Sequence, residues 1–205
     1  MISAVPRELF RALRLVLVIA VLTGLVYPLL ITGVARLVFP AQAEGSLLRD
    51  GKGNVIGSSL IGQQFNDSRY FHGRPSTTVS ETDATKAAPY NAQNSGSTNL
   101  APSNQALSDR VSASVGQIQS SEFGVPSSGV PVDLVTTSFS GLDPDISEAS
   151  ALLQAERVAR VRGLDSQRVA NLVHSRVEGR SLGIFGEPRV NVLMLNLALD
   201  HGDAG

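Results

Sequence analysis

Apolar positions are spread very unevenly along this chain. Residues 15–35 read LVLVIAVLTGLVYPLLITGVA, opening on Leu15 and closing on Ala35 without one charged side chain, between Arg14 and Arg36. At about 1.5 Å of rise per residue, such a run matches the roughly 30 Å hydrocarbon core of a bilayer. A backbone in lipid must satisfy its own amides, so the pattern predicts one membrane-spanning helix. Gly24 and Pro28 fall inside it, and both are tolerated in a span that packs beside other helices. Pro40 then stops the helix, so residues 15–39 are assigned to the span.

Beyond the span the periodicities are mixed. Leu47-Leu48 and Val55-Ile56 flank Asp50-Gly51-Lys52-Gly53-Asn54, which reads as a hairpin with a glycine-rich turn. Ser103 caps a helix carrying a single stripe of Leu107, Val111, Val115 and Ile118. Residues 124–129 form a breaker cluster. Residues 130–138, VPVDLVTTS, alternate with Val and Thr enrichment and predict a strand, which Pro131 places at an edge. Residues 140–147 read as a turn around Asp143-Pro144. Ser147 caps a helix that runs to Arg162 and ends at Gly163, with Glu148 in its first turn and Arg157, Arg160 and Arg162 toward its end, as the dipole favours. Asp165 caps another helix bearing Val169, Leu172, Val173 and Val177, closed by Gly179, with His174 facing solvent. Residues 182–185 are a short apolar piece read as a strand. After Pro188, apolar residues at 190, 193, 194 and 197 fit a helix that is apolar on most sides. Asn191 and Asn196 within it require buried hydrogen-bond partners. The expected fold is α+β: one N-terminal transmembrane helix followed by a single mixed domain.

Charge orients the span. Arg7, Arg11 and Arg14 precede it, while Arg36 and then Arg49 are the next basic residues beyond its charge-free run. The positive-inside bias assigns residues 1–14 to the cytoplasm and residues 40–205 to the far side. A rival reading comes from Ala41-Gln42-Ala43, which matches a signal-peptide cleavage pattern, but the apolar run exceeds the usual 7–15 residues of a signal core, which favours an uncleaved anchor. A net charge of −1 gives no electrostatic case for nucleic acid binding. Cysteine is absent, which removes disulfides, thiolate chemistry and most structural zinc sites.

Candidate chemistry is sparse. Gly57 to Gly62 has the glycine spacing of a phosphate loop, but Gln63-Gln64 follow where Lys and Ser or Thr are needed to reach phosphate and magnesium. Tyr70, Phe71, His72 and Arg74 lie within five residues, in a chain with three histidines. They read either as a recognition loop or proton-sensitive contact, or as a turn anchored by two aromatics with His72 in a structural hydrogen bond. The absence of a nearby His, Asp or Glu set favours the turn. Residues 76–105 are a polar segment in which 16 of 30 side chains are Ser, Thr, Asn or Gln. Such a stretch buries too little to order itself by apolar packing. Its oxygens, with Tyr90 and Asn91 among the candidate contact residues, could meet a cation or a partner; a solvated or partner-ordered loop is the favoured reading. No Ser-His-Asp pattern supports a hydrolase, and no catalytic residue is assigned.

The motifs as a series carry a resemblance. Tyr27-Pro28-Leu29 lies within the span, followed by Phe39-Pro40, Gly45-Ser46-Leu47, Leu60-Ile61-Gly62-Gln63 and Tyr70-Phe71-His72-Gly73-Arg74-Pro75-Ser76. Then come Tyr90-Asn91, Ser95-Gly96, Val130-Pro131-Val132, Ser140-Gly141-Leu142-Asp143, Val190-Asn191-Val192 and Leu195-Asn196-Leu197-Ala198-Leu199-Asp200. Over essentially its whole length the chain resembles the KdpC family, single-span accessory subunits of the bacterial Kdp potassium-transporting P-type ATPase. One departure is Asp145, where many relatives carry His. The resemblance implies a non-catalytic role in ATP-driven potassium uptake at the inner membrane. It implies three protein partners beside the lipid bilayer: a channel-like potassium-translocating subunit, a P-type ATPase subunit and a small single-span subunit. ATP and potassium would be handled by the complex, with no cofactor in this chain, which lacks an Asp-Lys-Thr-Gly phosphorylation motif. The family is described as a catalytic chaperone raising the ATPase subunit's ATP affinity. The charge argument, which puts residues 40–205 outside, favours an indirect role in assembly. A membrane-tethered, extracytoplasmic potassium-binding or filtering module is the alternative.

Overall fold

The computed structural model describes residues 5–122 and 124–202 and divides into two compact units, Met1–Leu47 and Leu48–Gly205. In the first unit, helix α1 (Val5–Val21) runs through a π-helical turn (Leu22–Val26) into α2 (Tyr27–Val38). Of the described helices, Pro6–Val38 is long and apolar enough to cross a membrane, with mean hydropathy 2.5 and none of its most apolar stretch buried. The π turn has a local cause. Pro28 brings no N–H, and its ring would crowd the carbonyl four residues back, at Gly24. The wider turn relieves both: Tyr27 N–H reaches the Leu22 carbonyl five residues back, and Thr23 Oγ1 donates to the Ile19 carbonyl at 2.8 Å. The helix breaks at Phe39, and Pro40 opens a single further turn, α3 (Pro40–Ala43).

The predicted hairpin follows, β1 (Leu47–Arg49) paired with β2 (Val55–Ser58) and closed by Asp50 N–H on the Asn54 carbonyl at 2.9 Å. Helix α4 (Gln105–Ser121) is capped by Asn104, whose side chain accepts from Ala106 N–H, so the cap falls one residue beyond Ser103. None of the described residues of α4 is buried. The expected strand over 130–138 is overturned. A 3-10 turn at Val132–Leu134 takes its place, because Pro131 cannot pair and Asp133 is drawn to the start of the next helix. There its carboxylate accepts from Ser147 N–H (2.7 Å) and Ser150 Oγ (2.7 Å).

Within the expected 140–147 turn, β3 (Asp145–Ile146) forms an edge of a three-stranded antiparallel sheet of order β3-β5-β4. Helix α5 (Glu148–Arg162) starts at Ser147, whose Oγ accepts from Ser150 N–H, and ends on Gly163 at φ +66°, as expected. Helix α6 (Ser166–Ser175) is capped by Asp165 but stops short of Gly179, because Val177 joins β4 (Val177–Glu178). His174 is exposed, as read, with Nδ1 2.7 Å from Glu148 Oε1. Residues 182–185 are a turn bridged from Ser181 to Phe185 rather than a strand. The final apolar run is split: Arg189–Asn191 is β5 and Val192–Asp200 is α7. Arg189 stitches the sheet through Glu178 on one neighbour (2.9 Å) and Asp145 on the other (3.0 Å). The core lies among α5, α6, α7 and β5, with Val158, Val169, Val173, Val190 and Leu195 fully buried.

Candidate functional site

The candidate residues from Tyr70 to Arg74 form an extended segment held by side chains of α5 and α7. Phe71 is wholly buried, which contributes roughly 1.5–3 kcal/mol, and its backbone amide has no strand to pair with. Asn196 of α7 replaces the strand: Phe71 N–H donates to Asn196 Oδ1 at 2.9 Å and Asn196 Nδ2 donates to the Phe71 carbonyl at 3.0 Å. At the next residue Gln154 of α5 does the same. His72 N–H donates to Gln154 Oε1 at 2.8 Å, and Gln154 Nε2 donates to the His72 carbonyl at 3.0 Å. Two side-chain amides thus supply a ladder to two successive residues and satisfy backbone groups that burial would otherwise orphan.

Arg157, one turn along α5, completes the clamp. Its Nε donates to Glu122 Oε1 at 2.6 Å and its Nη2 to Gln154 Oε1 at 2.8 Å, while Nη1 reaches the carbonyls of Ser68 and Tyr70. Both side chains of the Arg157–Glu122 pair are more than nine-tenths buried. Burial pushes the Glu122 carboxyl up, against the pull of Arg157. Burial, aided by the Arg157 charge, holds the His72 imidazole below its ordinary range. Its Nε2 donates to the Asp67 carbonyl at 3.2 Å. Tyr70 lies at the rim, its hydroxyl donating to Asp200 (3.0 Å) and its ring beneath the Arg162 guanidinium at 4.9 Å.

A second hub gathers Arg74, Tyr90 and Asn91. Arg74 pairs with Asp143 at 2.8 Å. Tyr90 Oη donates to the Arg74 carbonyl at 2.6 Å, Tyr90 N–H donates to Ser76 Oγ, and Ser76 Oγ donates to the Gly141 carbonyl at 2.7 Å. Buried Thr78 accepts from Asn91 N–H at 3.0 Å and donates to the Ala88 carbonyl at 2.6 Å; Asn91 Nδ2 reaches the Val79 carbonyl. Burial and the Asp143 charge push the Tyr90 phenol up to about 12. Gly62 and Gly73 make room for this ring. A Cβ on Gly62 would lie 2.4 Å from it and 2.6 Å from the Asp143 carbonyl, and one on Gly73 would lie 2.5 Å from the Tyr90 hydroxyl. Ser76, Thr78, Tyr90 and Asn91 of the polar 76–105 segment are therefore held by hydroxyl and amide bonds where apolar burial is lacking.

All six candidate residues fall in these two joined hubs, beside a cavity of about 460 Å³ lined by Gln63, Phe65, His72, Arg74, Tyr90 and Ile118. Sequence reasoning missed Gln154, Arg157 and Glu122. Ser150, Gln154 and Arg157 recur at helical spacing among Ala151, Ala155 and Val158, a polar stripe on a core face, which was the available signal. Asn196, expected to need a buried partner, has one. Among the described residues no group of three His, Asp or Glu side chains could hold a metal ion.

The family described as KdpC, K+-transporting ATPase, c chain, matches residues 9–201. The chain belongs to the KdpC family. It is 55% identical over 203 residues to the potassium-transporting ATPase KdpC subunit of Bradyrhizobium diazoefficiens, covering 97% of this chain and 98% of that one. The KdpC subunit of Methylobacterium nodulans is 56% identical over 188 residues, 89% of this chain and 91% of its own. That of Rhodopseudomonas palustris strain BisB18 is 52% identical over 198 residues, 95% and 98% respectively. As a KdpC subunit the chain is an accessory, non-catalytic component of the Kdp complex, partnered with its other subunits. The KdpC name and the Pro6–Val38 helix are consistent with an inner-membrane protein.

Proposed function

We propose that this chain is a tethered assembly subunit: residues 1–14 cytoplasmic, 15–39 spanning the inner membrane, and 40–205 outside, where the domain stabilises the potassium-uptake complex. The supporting observation is that every candidate residue is committed to a bond that holds the domain together. Phe71 and His72 are clamped by amides, Arg74 by Asp143, Tyr90 by Arg74 and Ser76, Asn91 by Thr78, and Tyr70 by Asp200. A domain held by such bonds suits docking, which requires a fixed shape. Its partners in this reading are a channel-like potassium-translocating subunit, a P-type ATPase subunit, a small single-span subunit and the bilayer.

With the domain outside, any rise in the ATPase subunit's nucleotide affinity reaches the cytoplasm indirectly, through the subunits it holds. The alternative of a potassium-binding module draws less support, because the oxygens of Ser76 and Thr78 and the Tyr90 hydroxyl are engaged within the domain. Deleting the chain and purifying the remaining subunits in detergent tests the assembly role: the complex is expected to fall apart or lose high-affinity uptake, and a fully active complex without it would overturn the reading. Protease protection on spheroplasts tests the topology, with the domain expected to be digested from outside.

A further inference from the structure

The turn between β4 and β5 presents its apolar side chains to solvent. Leu182, Ile184 and Phe185 are 88%, 68% and 61% exposed. The turn is firmly built. Ser181 N–H donates to the Phe185 carbonyl (2.8 Å), Phe185 N–H donates back to the Ser181 carbonyl (2.9 Å), and Gly183 N–H donates to Arg180 (3.0 Å). Leu182 sits at φ +55°, between Ser181 and a Gly183 at φ +77°. A bulky L residue is rarely found there, because its Cβ crowds the backbone. Strain of this kind persists where the surroundings enforce it, and it concentrates at functional positions.

The charges at the base of the turn are spent on one another. Arg180 binds both oxygens of Glu187 (2.9 and 2.7 Å), and Arg189 is shared between Glu178 and Asp145. The result is an apolar tip rimmed by internally neutralised ions, the arrangement of a protein interface with an apolar centre and polar edge. A lipid-surface anchor sets unneutralised Lys or Arg beside its apolar tip, whereas Arg180 and Arg189 are paired here with Glu187, Glu178 and Asp145. The occupant follows from the family, whose members are subunits of a larger potassium-transporting ATPase.

We propose that Leu182, Ile184 and Phe185 form a peg that seats in an apolar pocket of another subunit of the same complex; this rests on the assembly role proposed above. Placing the photo-crosslinker p-benzoylphenylalanine at position 185 of the full chain and illuminating membranes that contain the whole complex tests it. The expected product is an adduct identified by mass spectrometry as another Kdp subunit. Adducts only to lipid, only to a second copy of this chain, or to nothing overturn the peg. In parallel, a chain carrying Leu182→Ser, Ile184→Ser and Phe185→Ser is expected to keep its circular dichroism and melting temperature while recovering the other subunits at least tenfold less well. Undiminished recovery overturns the peg. If deletion of the whole chain disrupts the complex but the serine chain does not, the peg fails and the assembly role stands; if deletion leaves the complex intact, the assembly role itself has failed.

Discussion

Segment 68–74 and turn 180–187 are both irregular, and both carry aromatic and basic side chains, yet their groups are disposed inversely. In the first, Phe71 is buried to zero exposure and the backbone polar groups are met by Asn196, Gln154 and Arg157. In the second, Phe185 and Leu182 stand in solvent while the backbone bonds only within its own turn. The difference teaches that an irregular segment becomes part of a core when other elements lend it polar side chains at the right spacing, whatever its own hydrophobicity. Where none are lent, a tight turn holds its apolar groups outside.

The largest test of that contrast is Arg157→Ala. It leaves Glu122 as an uncompensated buried charge and strips the Ser68 and Tyr70 carbonyls, so unfolding in urea should lose about 3–5 kcal/mol. Asn196→Ala comes next. It orphans one buried N–H and one carbonyl of Phe71, and should cost about 2–5 kcal/mol on the same measurement. Gly73→Ala drives a methyl against the Tyr90 hydroxyl, at a cost of about 1–3 kcal/mol. Combining it with Tyr90→Phe, which removes that hydroxyl, should cost less than the two changes added together. At the other segment Leu182→Asn should change stability by less than about 1 kcal/mol, and upward, because Asn accepts left-handed backbone more readily; a large loss there would erase the contrast.

The smallest effect concerns protons. His72 has a folded pKa below its unfolded value, so the unfolded chain binds the extra proton first. Its contribution to stability is complete above the unfolded pKa near 6.5 and is lost as pH falls toward the folded value. Glu122, raised above its unfolded value, acts in the opposite sense as pH rises from about 4.5. The difference between the stability–pH curves of the parent and His72→Gln isolates the histidine, and the parent should show the steeper loss just below pH 6.5.

Elements with signals inside their own few residues were legible. Ser147 and Gly163 bracket α5 because a cap hydroxyl and a left-handed glycine act within one turn. The hairpin around Asp50 was readable for the same reason. The strand expected over 130–138 failed because β-branched content says what a pleated surface would accept, while Pro131 and the distant demand of the α5 N-terminus decided the outcome. The final apolar run hid its strand-to-helix change because periodicity carries no information where nearly every position is apolar, though Asn191 marks the boundary by capping α7. At the site, the grouping of Tyr70 to Arg74 was visible. Its partners lie 82 and 125 positions away, beyond any local pattern, and only the need of Asn196 for a buried partner pointed toward them.

The π turn at Leu22–Val26 has a consequence for the proposed membrane span. Each residue of an α-helix advances about 100° around the axis, so one residue added to a turn rotates everything after it by about that angle. The stripe of side chains displayed by α1 is therefore not continued by α2, and a neighbouring straight helix that follows one of them must lose the other. In the proposed span each leaflet would meet a different side of the same rod, leaving room for two separate neighbours along a single crossing.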